Sequence, residues 1–366
     1  MSLTGELRNQ RSPISRWLVD RFPRLDQVFH TWTAALKGAS TVPAPAGVNA
    51  RLQGQAFAYR LGFAFCLDPP YGAILGARNY VASDQLRHLA AAEFPAMAPL
   101  PARLAGYVRV LGRDAYLPLR TVDPLLDEQE GLWSAPDASM RRLLAFFRLT
   151  AGLAERLGAR RPDPGDPGER DLLAACYVLA VLDRAYRGSP LVPGLAEASP
   201  EALLAAVPAA ALGDLLRLTE LAAGDGGDRL KRLGSPALVA PVLVEHWAEA
   251  GLVLGGTLLD AKATERTDLE LDTFHQVLAA LLLDHGDWYR LDAAGVYLPR
   301  QGRLVRWPLA QLLEATEDPG ATLGALRLEF ADLIRTHLGR RVLERWTTFA
   351  PAAPLTGAEF AARTPG

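Results

Sequence analysis

The sequence predicts an α/β protein with a small mixed sheet flanked by helices and a large, mainly helical insertion. Apolar residues recur at helical spacing over much of the first 235 residues. Residues 236–309 are instead rich in valine and leucine and contain a Gly-Gly pair, which is typical of strands joined by a hairpin. A length of 366 residues suits one large domain with an insertion, or two medium domains.

The composition is that of an ordinary globular protein, with 49% hydrophobic and 22% charged residues. A formal net charge of −2 provides no global positive field, so any binding of nucleic acid requires a local patch. We expect a cytoplasmic protein with no membrane partner, because no apolar stretch approaches the length that spans a bilayer. Cys66 and Cys176 are expected to be buried thiols in a reducing compartment.

The patterns divide the chain into four regions. Residues 1–137 form an N-terminal helical region that includes an early core helix over 51–67, which is apolar nearly all round. Residues 138–235 form a helical insertion, 236–309 an α/β core, and 310–366 the C-terminal helices. We expect the sheet to come mainly from the third region, with the early helix packed on it.

The hairpin in the third region brings charged residues together. With Gly255-Gly256 as a two-residue turn, counting outward along both strands places Glu249 opposite Lys262. Because strand side chains alternate between faces, Asp260 shares a face with both. Paired carboxylates beside an ammonium suit a hydrolytic metal site. We therefore predict that Asp260 and Glu249 hold Mg²⁺ or Mn²⁺ and that Lys262 positions the attacking water.

Lysine is rare in this chain. Of 39 basic residues only Lys37, Lys231 and Lys262 are lysine, and the rest are arginine. An ammonium and a guanidinium differ in chemistry, so a lysine at the end of an apolar strand favours a specific role for its ammonium.

Asp260-Ala261-Lys262 ends an apolar strand, Gln276 lies in the next helix, and a strand hairpin follows over 286–308. This order resembles the core of the PD-(D/E)XK nuclease superfamily, particularly RecB-type nuclease domains. The resemblance covers about residues 237–309 and implies a restriction-endonuclease-like sheet that hydrolyses phosphodiester bonds of DNA or RNA with Mg²⁺ or Mn²⁺. It assigns Asp260 to the metal, Lys262 to catalysis and Gln276 to contact with substrate or water.

Three positions depart from the pattern of that superfamily. Gly251 stands where the first metal-binding aspartate is expected, Ala58 stands at the ligand position of the early helix, and Ala280 replaces a tyrosine. Glu249, two residues before Gly251, is our candidate for the missing carboxylate, and Glu245 is a more distant one.

Two functions therefore follow from the sequence, a metal-dependent nuclease or a catalytically inactive nuclease-fold protein that binds nucleic acid or a protein partner. A helical interaction protein, in which Asp-x-Lys is accidental, is a third. Arg300, Arg303 and Arg306 are candidate phosphate contacts. We expect His275 to lie at the surface or edge of its helix.

Overall fold

The architecture is taken from a computed structural model of the chain. The structure describes residues 3–94 and 136–338, apart from short gaps at 68, 82–85, 87–88, 91–92, 161–162, 164, 235–236, 240–241, 245–246, 285–286, 288 and 319.

Helices occupy most of the described chain on both sides of the strand-rich region. They are α1 (Leu3–Arg8), α2 (Pro13–Arg21), α3 (Asp26–Leu36), α4 (Ala50–Phe63), α5 (Tyr71–Val81), α6 (Ala138–Leu157), α7 (Pro167–Tyr186), α8 (Pro200–Ala205), α9 (Ala209–Ala222), α10 (Asp225–Arg232), α11 (Leu271–Leu283), α12 (Leu309–Glu314) and α13 (Leu323–His337). The strands are β1 (Ala237–Val239), β2 (Val242–Val244), β3 (Ala248–Glu249), β4 (Leu252–Leu254), β5 (Thr257–Ala261), β6 (Ala293–Leu298) and β7 (Arg303–Pro308).

Five strands form one mixed sheet in the order β1-β4-β5-β6-β7. Strand β5 pairs parallel with β6, and the other neighbours pair antiparallel. The chain crosses from β5 to β6 through α11, as a parallel connection requires. Strands β2 and β3 form a separate antiparallel pair. The prediction of a small mixed sheet within a helical α/β protein is therefore confirmed.

The hairpin between β4 and β5 turns at the predicted glycine pair. Gly255 and Gly256 have φ angles of 52° and 87°, and positive φ at both central residues suits a two-residue hairpin turn. Leu252 consequently pairs with Leu259, as outward counting predicts.

The predicted ladder does not continue to Glu249, and this part of the prediction is wrong. Glu249 pairs with Val242 of β2 instead of facing Lys262. The chain bends at Gly251, where an added Cβ would lie 2.8 Å from the carbonyl oxygen of Leu259. On the other side of β5, the backbone N–H of Lys262 donates to the carbonyl of Tyr297 in β6 at 2.9 Å.

Helices cover both faces of the sheet, giving three layers. Helices α1–α3 and α11–α13 share one buried apolar cluster with one face, and α4–α10 share a second cluster with the other. Period-two alternation explains the division, since Leu258 belongs to the first cluster and Leu259 to the second. The early helix packs on the sheet as expected, with Phe57 stacked on Tyr297 at 6.0 Å between ring centroids.

A buried ion pair ties the early helix to the helical insertion. Arg60 of α4 donates from Nε and Nη2 to the two carboxylate oxygens of Glu169 in α7, at 2.8 and 3.1 Å. Cys66 and Cys176 are both buried, as expected, and form no disulfide with each other. None of the helices in the described ranges is long and apolar enough to cross a membrane.

The N-cap of helix α11 is Glu270, which makes no side-chain cap hydrogen bond. The prediction that His275 lies at a surface or edge is wrong, because only 4% of this residue is exposed. Burial lowers the pKa of His275 below its ordinary value, against a smaller opposing effect of Asp272. His275 is therefore neutral in the folded protein near pH 7.

Replacing Gly251 with alanine is expected to destabilise the fold. The new Cβ would crowd the carbonyl of Leu259, and overpacking of this kind costs about 1–3 kcal/mol. Gly213→Ala in α9 is the matched control, because its Cβ would meet nothing within 4 Å and a helix interior favours alanine. Chemical denaturation measures both, and an equal effect of the two substitutions on the free energy of unfolding would contradict the close approach at Gly251.

Acidification is expected to reduce stability through His275. The pKa of His275 is about 6.5 in the unfolded chain and lower in the folded chain. Below about pH 6.5 the unfolded chain therefore binds a proton that the folded chain does not bind. The free energy of unfolding should fall by up to about 1.4 kcal/mol per pH unit in that window. His275→Phe should flatten the slope and His30→Gln, at an exposed position, should not. An unchanged slope in His275→Phe would refute this assignment.

Candidate active site

A polar cleft lies where the parallel strands β5 and β6 end. Its volume is about 160 Å³, and its wall includes Lys262 just after β5, Leu298 at the end of β6 and Gln276 from the crossover helix α11. The crevice outside the carboxyl ends of parallel strands is the usual ligand position in α/β sheets. The fold thus brings three sequence-distant segments to one binding position.

Lys262 and Gln276 line this cleft, and Asp260 lies beside it, in contact with the Lys262 ammonium. Nζ lies 2.8 Å from Oδ2 of Asp260 and donates to Oε1 of Gln276 at 2.8 Å. The alternation of β5 places Asp260 and Lys262 on the face that α11 covers. Their side chains are 22% and 29% exposed, so water and a small ligand can reach them.

The ammonium retains capacity for a ligand. The two contacts occupy two of its three N–H groups, and the third has no partner among the residues that the structure describes. Oδ1 of Asp260 likewise accepts no hydrogen bond from any of the described residues. A donor and an acceptor thus remain side by side at the end of β5.

Helix α1 contributes residues that the sequence did not reveal. Its Leu3 and Leu7 are buried against the sheet side that carries α11, which brings Thr4 and Arg8 into the cleft wall. Nε2 of Gln276 donates to Oγ1 of Thr4 at 3.4 Å. Because a lysine only donates, the amide oxygen of Gln276 must face Lys262 and its NH₂ group faces Thr4. The amphipathic spacing of residues 3–7 was the available signal, but so short a helix is marginal by itself.

The cleft wall mixes charges of both signs. The cations are Arg8, Lys262 and Arg266, and the carboxylates are Asp268, Glu270 and Asp272. Arg266, in the loop before α11, forms an ion pair with Glu270, the N-cap of that helix. When Asp260 is counted as well, there are four carboxylates and three cations. The net charge around the cleft therefore does not by itself attract a polyanion.

An indole side chain closes the cleft on the α3 side. Trp32 stacks on Trp307 with 6.3 Å between ring centroids, and its Nε1 donates to the carbonyl of Thr267 at 2.7 Å. This hydrogen bond fixes the loop between β5 and α11, which carries the carboxylates Asp268 and Glu270 of the cleft wall. The wall is therefore preorganised on this side.

The three predicted arginine contacts occupy different positions. Arg300 is fully buried in an ion pair with Asp214, so its prediction as a phosphate contact is wrong. Arg306 binds Thr257 and Asp292 at the opposite end of β5 from Lys262. Arg303 is half-buried and pairs in register with Leu298 of the cleft wall. Its contact with phosphate stays a prediction.

The remaining positions that differ from the superfamily pattern supply no ligand. Ala58 lies in α4, on the sheet face opposite α11, and Ala280 is buried in the apolar cluster around α11. Glu245 lies outside the described residues, as does the side chain of Glu249, so the role of Glu249 as a metal ligand stays a prediction.

The described side chains fit a divalent cation only as a weak site. No three His, Cys, Asp or Glu side chains converge as a metal-binding group within the described residues. Asp260 offers one carboxylate, and magnesium sites often complete one or two carboxylates with water and substrate phosphate oxygens. The neighbouring ammonium opposes a cation by like charge. Cation binding without substrate is therefore expected to be weak.

Comparison with known proteins gives no match to this chain among family models, curated protein sequences or solved structures.

Proposed function

We propose that the protein is a divalent-cation-dependent nuclease of the PD-(D/E)XK type, with a restriction-endonuclease-like core, that hydrolyses phosphodiester bonds in DNA or RNA. The observation that carries this proposal is the ammonium of Lys262, held between Asp260 and Gln276 at the ends of two parallel strands. The strand, turn, strand, helix, strand order around Asp260 supports the same fold type.

The chemistry follows from the roles of these groups. Hydrolysis breaks one P–O bond, adds the hydroxyl of water to phosphorus and delivers a proton to the leaving oxygen. A bound cation would polarise the phosphoryl group and lower the pKa of an attacking water. Asp260 would hold that cation through Oδ1, and the third N–H of Lys262 would orient the water or stabilise charge on a phosphoryl oxygen.

Gln276 acts by keeping Lys262 in place. Its amide oxygen accepts one N–H of the ammonium, and its NH₂ group is fixed by Thr4. A flexible four-carbon lysine side chain would otherwise sample many rotamers. Preorganisation of this kind contributes to catalysis because the charge need not reorient during the reaction.

The test is cleavage of single-stranded, linear duplex and plasmid DNA, and of RNA, with Mg²⁺ or Mn²⁺. Asp260→Asn and Lys262→Ala should each lower the rate constant by about 10²–10³-fold, the usual cost of removing one transition-state stabilising group. Gln276→Leu should lower it less, since it acts through Lys262.

Lys37→Ala is the matched control, because Lys37 is an exposed lysine that is absent from the cleft wall. Its rate should equal that of the unmodified protein. Cleavage that persists at the full rate in Asp260→Asn or Lys262→Ala would refute the proposed site.

A second candidate is a nuclease-fold protein that binds nucleic acid without cleaving it. The crowding at Gly251 favours this alternative, because no carboxylate side chain can be placed there without moving the backbone of Leu259. The loss of one carboxylate would leave the binding surface intact while weakening the cation site.

Under this alternative no divalent cation supports cleavage, while fluorescence anisotropy detects binding of a labelled oligonucleotide. The affinity should fall steeply as salt rises, because phosphate contacts release counterions. Arg8→Gln and Arg303→Gln should each weaken binding severalfold and reduce the salt dependence, whereas Asp260→Asn should not weaken it. An affinity indifferent to salt and to both arginines would contradict this candidate.

A further inference from the structure

The turn between β6 and β7 holds a buried arginine that reaches the end of β5. Arg300 donates from Nε to the carbonyl of Ala263 at 3.0 Å, and Ala263 directly follows Lys262. The N–H of Lys262 itself is bonded to the carbonyl of Tyr297. The backbone around Lys262 is therefore fixed on both sides.

The direction of the Arg300 side chain is set by the helical insertion. Its Nη1 and Nη2 donate to the two carboxylate oxygens of Asp214 in α9, at 3.0 and 2.8 Å. Both side chains are 0% exposed. Two parallel hydrogen bonds hold the planar guanidinium in the plane of the carboxylate. The orientation of Asp214 therefore determines the direction of the third donor, Nε.

Asp214 is in turn held by the early helix. Nε2 of Gln53 in α4 donates to Oδ2 of Asp214 at 3.0 Å and to the carbonyl of Ala211 at 2.8 Å. A continuous chain of hydrogen bonds thus runs from α4 through α9 and Arg300 to the residue after Lys262. All of its side chains are buried, so solvent does not compete for these bonds.

Buried ion pairs of this type are not required for stability in general. Replacement of both partners by apolar residues of similar volume is often neutral or stabilising. The pair of Arg300 with Asp214 nevertheless specifies the position of one carbonyl group at the strand end that carries Lys262. Geometric precision, and not stability alone, is what this arrangement supplies.

We propose that Arg300 and Asp214 are positioning residues that hold the end of β5 so that the Lys262 ammonium stays between Asp260 and Gln276. The helical insertion thereby controls the geometry of the cleft from the opposite face of the sheet. The consequence for cleavage rests on the proposed nuclease function, whereas the consequence for the position of Lys262 does not.

The experiment compares two double variants in the full chain. Arg300→Met with Asp214→Leu removes the positioning pair without leaving a buried charge. Arg60→Met with Glu169→Leu removes a comparably buried bidentate pair between helices of the same layer. The hydrogen bonds of Arg60 among the described residues go to Glu169 and Gly158 and not to β5. Because the chain has three lysines, side-chain Cε–Nζ correlations in NMR spectra report on Lys262 individually.

The Arg300/Asp214 double variant should shift the Lys262 signal and leave those of Lys37 and Lys231 in place. It should lower kcat at least tenfold and change KM less than threefold. The Arg60/Glu169 double variant should leave the Lys262 signal and kcat unchanged. If the first variant fails to fold, Arg300→Lys keeps the charge beside Asp214 but lacks the fork, and should shift the Lys262 signal in the same way.

An unchanged Lys262 signal in the folded Arg300/Asp214 variant would overturn the positioning role, as would an equal shift in the Arg60/Glu169 variant. If the unmodified protein cleaves no nucleic acid, the proposed function fails, and the NMR comparison still decides the positioning role. The two failures are therefore distinguishable.

Discussion

The parallel pairing of β5 with β6 is the constraint on which the rest of the structure depends. It brings the ends of two strands to the same edge, and the bond from the N–H of Lys262 to Tyr297 extends the pairing past the last residue of β5. The connection between the strands must cross one face of the sheet, and α11 does so with Gln276 directed at Lys262. Asp260, Lys262 and Gln276 are thus brought together by topology.

The two faces of the sheet contribute differently to this edge. Helices α1 and α11 lie on the face that carries Lys262. Gln276 of α11 contacts the ammonium, and Thr4 of α1 contacts Gln276. Helices α4 and α9 lie on the other face. The buried Arg300 links Asp214 of α9 to the same strand end, where α4 also packs close to Ala263. The cleft thus combines residues of β5, β6 and α11 with residues of the distant helices α1 and α3.

Local patterns predicted the elements near the hairpin well. Two consecutive glycines, alternating apolar residues and an amphipathic segment with apolar residues three and four positions apart define the turn, the strands and the helix from short-range chemistry alone. The meeting of Lys262 with Asp260 followed from alternation within one strand. The resemblance to a family assigned Gln276 to contact with substrate or water. Its contact with Lys262 was not predicted, because it depends on the crossover topology.

The errors arose where tertiary contacts decide the outcome. Glu249 leaves the ladder where the chain bends at Gly251 and pairs with Val242 instead, a long-range pairing that no local pattern reveals. Arg300 looked like a surface cation in a turn, yet the carboxylate that buries it lies 86 positions earlier. His275 is buried because helices pack around most of α11, which leaves few exposed positions on it.

Under the proposed function, the end of β5 is a cation-assisted phosphodiester site built on Asp260 and Lys262. Its most direct measurement is anomalous diffraction from crystals grown with Mn²⁺ and a short oligonucleotide bearing a phosphorothioate linkage. We expect a manganese peak at about 2.0–2.3 Å from a carboxylate oxygen of Asp260, with the phosphorothioate group in contact with Lys262. A manganese peak or a phosphorothioate group bound elsewhere, with the cleft filled only by water, would contradict the account.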